Sequence, residues 1–576
     1  MKNSLKKRGQ KFIKHFSRFS QRASEEGKQH LKENFFYRFS HIRSIRLLIL
    51  EWILLIITLI MFATTQAFWF TNSYSENAFV EGGIYTEATL GKITSMNPLF
   101  AITSSEKVLS KILFATLTTI DYSGHPGLGL AQSIIPSENG KVWTVKLRDH
   151  LKWSDGEPLT NADVLFTINL IKNPNVNSIY KSNFSNIEIT ESPEGKIIFQ
   201  LPTPYNNFMS VLDFPIIPKH ILGQINPEVL IEHEFSTQPI GSGAFCFNAS
   251  QTITPDGEKI IYLSANPFYY KGKPLIASFA IHNYLKKSQI ITALNTGTIT
   301  ATAELSPKDA PNLPHKQIYE KSSNLNYGVF AFFNTTKTPL NHIALRSAIR
   351  QGIDISYIRS LIPNTNPIDY PLLPSQATLS TYPPLPTHDV NASVQTITNQ
   401  FGTPTLSVVT ANTGYLPTVA QAFIESLRQL NINAELNTYE EDQDFINNVI
   451  NKRNYDILIY EIELGANYDL FPYYHSSQIT TPGLNLSNYT NVLVDDLLLG
   501  ARQTLNPTLR TKKYESFLKY WVADIPAIGL YQSNLTYFYN KNIRTFSDNI
   551  HLSTPLDRFS DLTSWGVTKK TKNRTP

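Results

Sequence analysis

The chain has 576 residues, 41% hydrophobic and 17% charged, and so exceeds the roughly 250 to 300 residues at which a single core stops growing. A globular protein with more than one lobe is expected, and a disordered or fibrous chain is excluded. The formal net charge of +5 hides an asymmetry: residues 1–70 carry 13 Lys/Arg against four Asp/Glu, leaving 38 basic and 42 acidic residues in a mildly acidic body that gives no reason to expect nucleic acid.

All 13 of those basic residues lie in 1–46. Residues 47–70 then hold no Lys or Arg, and Ile53 to Ala63 is almost unbroken aliphatic. A helix over 47–70 spans about 36 Å, enough for a hydrocarbon core of about 30 Å. Glu51 stands near the basic end, while Trp52, Phe68 and Trp69 suit interfacial depths. The positive-inside rule predicts a cytoplasmic arm at 1–46, an uncleaved single-pass anchor at 47–70 that partners the lipid bilayer, and an extracytoplasmic body. Thr65-Gln66-Ala67 leaves a cleavable signal peptide as the alternative. Residues 71–78 read as a polar linker.

Further along, Trp143, Val145 and Leu147 alternate with Val142, Thr144 and Lys146, the period of a half-buried strand. Asp155-Gly156 is a turn pair. Thr160 stands three residues before Asp163, placed to cap a helix from near Asn161 that buries Val164, Leu165, Ile168 and Leu170 or Ile171. Cys246, the one cysteine, lies in an apolar run and reads as a small buried hydrophobe. It is too far from the N-terminus to carry a lipid anchor.

Asn341 to Gly352 reads as a helix with Ile343, Ala344, Leu345, Ala348 and Ile349 as its apolar stripe. Seven prolines between Pro363 and Pro386 predict a long extended loop. Val419 to Leu430 is a second helix, followed by an alternating strand at Ile432 to Leu436 and a buried one at Tyr455 to Ile459, the α/β pattern. Residues 566–576 form a basic, polar tail expected to lack fixed structure.

Catalytic motifs are missing. His233-Glu234 lacks the second histidine of a zinc helix, and the sequence holds neither a Gly-x-x-x-x-Gly-Lys loop nor a Gly-x-Ser-x-Gly elbow. No enzyme activity, metal or cofactor is expected. The 28 Tyr and 33 Phe suit concave binding surfaces, since a phenol offers apolar area with a polar tip.

The literal strings add a resemblance. Leu147-Arg148, the Lys-Trp-Ser-Asp-Gly run at 152–156 and Thr160 to Asp163 resemble the signature of the family 5 extracellular solute-binding proteins, the oligopeptide- and dipeptide-binding components of ABC importers. Glu81-Gly82-Gly83, Met96-Asn97-Pro98-Leu99, Pro239 to Phe245, Asn266 to Pro274, Phe333-Asn334 and Asp524 to Tyr531 extend it over roughly 80 to 546. The resemblance implies an α/β, two-lobed periplasmic-binding-protein-like fold with an inserted subdomain. Lobe one maps to 79–112, 236–325 and 525–565, the insertion to 113–235, and lobe two to 326–524.

It also implies a function: capture of a peptide or other small solute and delivery to ABC transporter permease subunits. A surface sensor or adhesion ectodomain on the same fold is the alternative. The implied ligand-contacting residues are Asn97, Gly241, Ser242, Gly243, Phe245, Asn334, Asn467, Tyr468, Asp469, His475, Asn485 and Tyr489. Members often show Asp-Tyr-x-Asp-Pro, whose first carboxylate holds the ligand's α-ammonium. Here Asn467-Tyr468-Asp469-Leu470 puts an amide in that place. Either Asp469 supplies the charge, or the ligand has no free amine there, or Asp469 merely caps the following turn.

Overall fold

The structure is a computed structural model that describes residues 42–573 except 122, 315–316, 374–375, 377–378 and 467. Most of the expected arm at 1–46 lies outside the described residues. Ile42–Tyr74 forms one helix, whose stretch Leu48–Trp69 is long and apolar enough to cross a membrane. The expected linker at 71–78 is not a loop: the helix runs through to Tyr74, and Ser75–Val80 follows as a strand. That strand pairs with Thr568–Asn573 in a two-stranded sheet, so the tail also differs from expectation. A polar segment gives no apolar period to read, but main-chain pairing needs none. The described residues up to 78 and from 570 onward form one compact unit, and residues 79–569 form another.

The second unit is organised by an eleven-stranded sheet whose two longest strands, Ile318–Phe333 and Ala527–Asn540, run antiparallel at its centre. On one side follow Ala301–Thr302, Ile84–Leu90, Ser278–Tyr284, Lys259–Ala265 and Phe245–Thr252. On the other lie Ile457–Glu463, Thr405–Ala411 and Asn433–Tyr439.

The long strands pass through both lobes and pack each half into a different core. Leu325, Leu535 and Tyr537 join a cluster with Tyr85, Phe245 and Phe279. Val329 to Phe333 and Ala527 to Tyr531 join a cluster with Phe423 and Leu458. Along Ala527–Asn540 the strand passes from one core to the other between Tyr531 and Leu535. Ile528 and Leu530 are fully buried in the second lobe, and that burial holds the strand there.

The segment 113–235 carries its own four-stranded antiparallel sheet, Ala131–Pro136, Val142–Leu147, Ile197–Gln200 and Glu188–Glu191 in spatial order. It shares a core with the first lobe. Val142–Leu147 buries Trp143, Val145 and Leu147 as its alternation predicts. Asp163 accepts the Thr160 amide at 2.8 Å and opens the helix Asn161–Lys172, which buries Val164, Ile168, Leu170 and Ile171 and leaves Leu165 half-buried.

The helix Ile343–Gly352 buries Leu345, Ala348 and Ile349 but exposes Ile343 and Ala344, against expectation. Ile343 lies on the side of the helix opposite Leu345, Ala348 and Ile349, while Arg346 is buried and its guanidinium donates to the carbonyls of Leu340 (2.7 Å), Asp524 and Ile525. The proline-rich stretch contributes only the two-residue strand Asn366–Pro367 among its described residues.

One buried ion pair fastens the end of the chain to the first lobe. Arg558 Nη2 lies 2.7 Å from Glu87 Oε1, with side-chain exposures of 2% and 0%. The hydroxyls of Tyr537 and Tyr85 donate to the other Glu87 oxygen at 2.8 and 3.1 Å. Removing the cation leaves a carboxylate buried without a counter-charge, a loss of about 3 to 5 kcal/mol. Arg558→Leu is therefore expected to lower stability by about that amount, measured as the urea midpoint shift at constant m-value. Replacing both partners, as in Glu87→Leu/Arg558→Leu, should recover part of the loss.

Candidate ligand-binding cleft

Thr405–Ala411 pairs in parallel with both Asn433–Tyr439 and Ile457–Glu463, so the carboxyl ends of three strands emerge side by side. In open α/β sheets ligands bind outside such ends. Asn412 and Thr413 follow the first strand, Glu440 and Glu441 the second, and Glu461 and Glu463 close the third. Opposite them stand Ala303 to Pro307 of the first lobe, across a cavity of about 600 Å³.

The cavity floor is the irregular crossing of the two long strands. Between the pairs Asn324–Asn534 and Gly328–Gln532 three residues oppose one, an interruption of the ladder. Leu325, Tyr327 and Ser533 of this interruption line the cavity. Asn326 turns away and is fully bonded: its amide nitrogen donates to Gly465 and Ser553 (both 3.1 Å), and its carbonyl accepts from Leu464 (2.7 Å). Glu461 borders a second cavity of about 500 Å³, lined also by Tyr205, Ile446, Glu463, Asp469 and Tyr473.

Of the residues singled out from the sequence and described in the structure, Asp469 lines one of these two cavities and the others line neither. Asn97 is fully buried and accepts the Leu99 amide at 3.1 Å as a helix cap. Gly241 and Gly243 allow main chain to meet main chain: a Cβ there would lie 1.9 Å from the Leu113 carbonyl oxygen and 2.2 Å from that of Ile112. The Ser242 hydroxyl accepts from the Ala115 amide at 3.3 Å, and Phe245 packs on Phe279 with centroids 5.3 Å apart.

Asn334 donates to the carbonyls of Arg453 and Tyr455, both at 3.2 Å. Asn485 donates to the carbonyls of Tyr489 (2.9 Å) and His475 (3.2 Å), and the Tyr489 hydroxyl donates to Asp524 at 2.5 Å. His475 stacks on Phe471 at 4.0 Å, and burial pushes its pKa down, keeping the ring neutral. Tyr468 packs edge-on against Tyr514 at 5.3 Å. Asn467 lies outside the described residues.

Asp469 is already engaged. Arg502 Nε lies 3.2 Å from it, the Tyr205 hydroxyl donates at 3.2 Å and the Phe471 amide at 3.2 Å. Burial pushes its pKa up, opposed by Arg502. The Arg502 guanidinium lies 4.6 Å above the Tyr205 ring and 4.5 Å above Phe471. Tyr205 belongs to the segment 113–235 and Arg502 to the second lobe, so this cluster bridges the cleft. Asn206 reinforces it, its main-chain amide donating to the Arg502 carbonyl at 2.9 Å and its side chain to that of Ala501 at 2.6 Å.

Sequence reasoning missed the acidic strand ends. Burial pushes Glu461 up to about 7, helped by Glu441 and opposed by the Ser533 hydroxyl. Glu463 is also raised, first by burial and then by Asp557. The available signal was their position after two apolar strands. The strands were read as ending at Leu436 and Ile459, short of the residues that reach the cleft.

Residues 125–481 match the family model described as bacterial extracellular solute-binding proteins, family 5 Middle. The chain belongs to that family. The oligopeptide-binding protein AppA of Bacillus subtilis is 24% identical over 488 residues, which are 79% of this chain and 87% of that protein. A putative ABC transporter peptide-binding protein of Brucella ovis is 32% identical over 176 residues, 30% of this chain and about a third (32%) of that relative's length. Among solved structures, the substrate-binding protein CtaP of Listeria monocytogenes superposes with a TM-score of 0.73 at 23% identity, covering 85% of this chain and 100% of that one. AppA in complex with a nonapeptide gives 0.69 at 21%, with the same coverage. The fold of this family 5 solute-binding protein is thus the two-lobed periplasmic-binding-protein type.

The bridging cluster makes a measurable prediction. Arg502→Met strands the Asp469 carboxylate and should cost about 3 kcal/mol in urea unfolding, whereas Arg502→Met/Asp469→Asn should cost less than the sum of the single changes. Additive single and double values would mean that the two side chains do not interact.

Proposed function

We propose that this chain is a membrane-anchored extracytoplasmic solute-binding protein that encloses a peptide-like ligand between its lobes and delivers it to an ABC permease. The observation that carries this reading is the pair of cavities, about 600 and 500 Å³, walled by both lobes and meeting at Glu461. Tyr327, Tyr415, Tyr531 and Tyr473 give them apolar area, and Asn364, Thr365, Asn412 and Thr413 offer neutral donors and acceptors for peptide groups. The names of the relatives, oligopeptide-binding in AppA and peptide-binding in the Brucella protein, point the same way.

In this proposal lobe one comprises 79–112, 236–325 and the chain from about 532, with 113–235 inserted and lobe two between. Asp469 latches the cleft through Arg502 and Tyr205, and the buried residues Asn97, Asn334, Asn485 and Tyr489 shape the walls. The helix through Leu48–Trp69 serves as the anchor. Intact mass of the detergent-extracted protein should correspond to a chain that retains residues 47–70. A mature N-terminus near Phe68 would instead identify a signal peptide.

Ligand entry requires the Tyr205–Asp469 contact and the Lys308 bonds to Gly414 and Thr418, all across the cleft, to open and reform. Small-angle scattering of the full chain in detergent should show a smaller radius of gyration after saturation with a mixed-sequence heptapeptide library. Superimposable curves at saturation, with peptide bound by mass spectrometry, would count against closure.

A further inference from the structure

We infer that the ligand carries a positive charge, an ammonium or guanidinium, and that Glu461 is the residue against which that charge rests. The inference depends on the solute-binding reading above and adds the ligand's charge and anchor.

The cleft is strongly unbalanced in charge. Its two cavities are lined by Glu304, Glu440, Glu441, Glu461, Glu463 and Asp469, and by one basic residue, Lys287. Only Asp469 has an ion-pair partner; among the described residues no Lys or Arg pairs with the other five carboxylates. Neutral groups hold them in place instead. Tyr460 and Thr413 hydroxyls donate to Glu441 at 2.6 and 2.9 Å, the Asn412 amide to Glu440 at 2.7 Å, and the Tyr327 hydroxyl to Glu463 at 3.3 Å. Hydroxyl and amide donors orient a carboxylate but leave its charge in place.

Glu461 is the one carboxylate that borders both cavities, so a group resting on it is reachable by a ligand extended through either. The titratable groups acting on it are Glu441, Tyr327, Tyr460 and Tyr531, none of them a cation. A half-buried carboxylate among tyrosines, without a counter-charge of its own, suits an alkylammonium or guanidinium group. A metal ion is a poorer fit, since no group of three or more His, Cys, Asp or Glu among the described residues is arranged to hold one.

The sign with pH follows from Glu461. Because its carboxyl is pushed up to about 7, it is ionised above that pH and neutral below it. A lysine side chain, with an ordinary pKa of about 10.4, stays charged throughout. Preference for a cationic ligand should therefore be full near pH 8 and fade towards pH 6.

The test uses the full chain in detergent and three synthetic heptapeptide libraries, N-acetylated and C-amidated, with a fixed central Lys, Ala or Glu. Peptides retained from an equimolar mixture are eluted and quantified by mass spectrometry. The expected result is enrichment of the Lys library by about tenfold over Ala at pH 8, falling towards parity at pH 6, with Glu disfavoured. Glu461→Gln should retain peptides without that enrichment. If Glu461→Gln does not fold, the pH series on the wild type decides. Retention of all libraries equally, or enrichment of Glu, overturns the inference and leaves the peptide reading intact. Unchanged enrichment in Glu461→Gln overturns the anchor. Retention of no library overturns the peptide reading, and the inference with it.

Discussion

Two strands pass through both lobes, and most of the molecule's geometry follows from that constraint. Ile318–Phe333 and Ala527–Asn540 each bury one half in the first core and the other half in the second. A continuous ladder would make the lobes one rigid sheet. The ladder is instead interrupted at Leu325 to Tyr327, where three residues face Ser533 alone. Residues of the interruption bond outside this ladder instead, the Asn326 main-chain amide to the carbonyl of Leu552 and its main-chain carbonyl to the Leu464 amide. That same interruption lines the larger cavity.

The charges of the body divide between holding and receiving. Glu87 and Arg558 are a closed pair, desolvated together and bonded to two tyrosines, and they tie the segment around Arg558 to the strand Ile84–Leu90. Asp469 and Arg502 are a second pair, both from the stretch 326–524, and Tyr205 of the segment 113–235 joins it by donating to Asp469. The carboxylates at the strand ends have hydroxyl and amide partners but no cation. Glu461 is the half-buried one among them, and its desolvation costs free energy that a charged ligand can return. An acidic cleft on a mildly acidic body also draws cations towards it at long range.

The glycines of the Pro-x-Gly-x-Gly string illustrate how a string can mark a family without marking its site. Gly241 and Gly243 permit the main chain to touch the carbonyls of Ile112 and Leu113, where any Cβ would collide. Their role is packing between the segment 236–325 and the helix Ser104–Leu113. Asn97, Asn334 and Asn485 also bond main chain, Asn97 by accepting the Leu99 amide and the other two by donating to carbonyls.

The sequence alone determined what depends on local order: the apolar helix before an acidic body, the Thr160–Asp163 cap, the alternating strand Val142–Leu147, the α/β alternation, and the strings that mark the family. Each is written in neighbouring residues, where period, capping and turn chemistry act. It did not determine how far strands extend or which face a helix buries. Glu461 and Glu463 are polar and break an apolar run, so Tyr455 to Ile459 read as the whole strand. Ile343 is apolar yet exposed, because it lies on the side of the helix opposite Leu345, Ala348 and Ile349. The ribbon of Ser75–Val80 with Thr568–Asn573 joins segments nearly 500 residues apart. Only the tertiary structure decided that Asp469 meets Arg502 and Tyr205 while Glu461 is left without a cation, since a charge's partners are fixed by which loops the fold brings within a few ångströms.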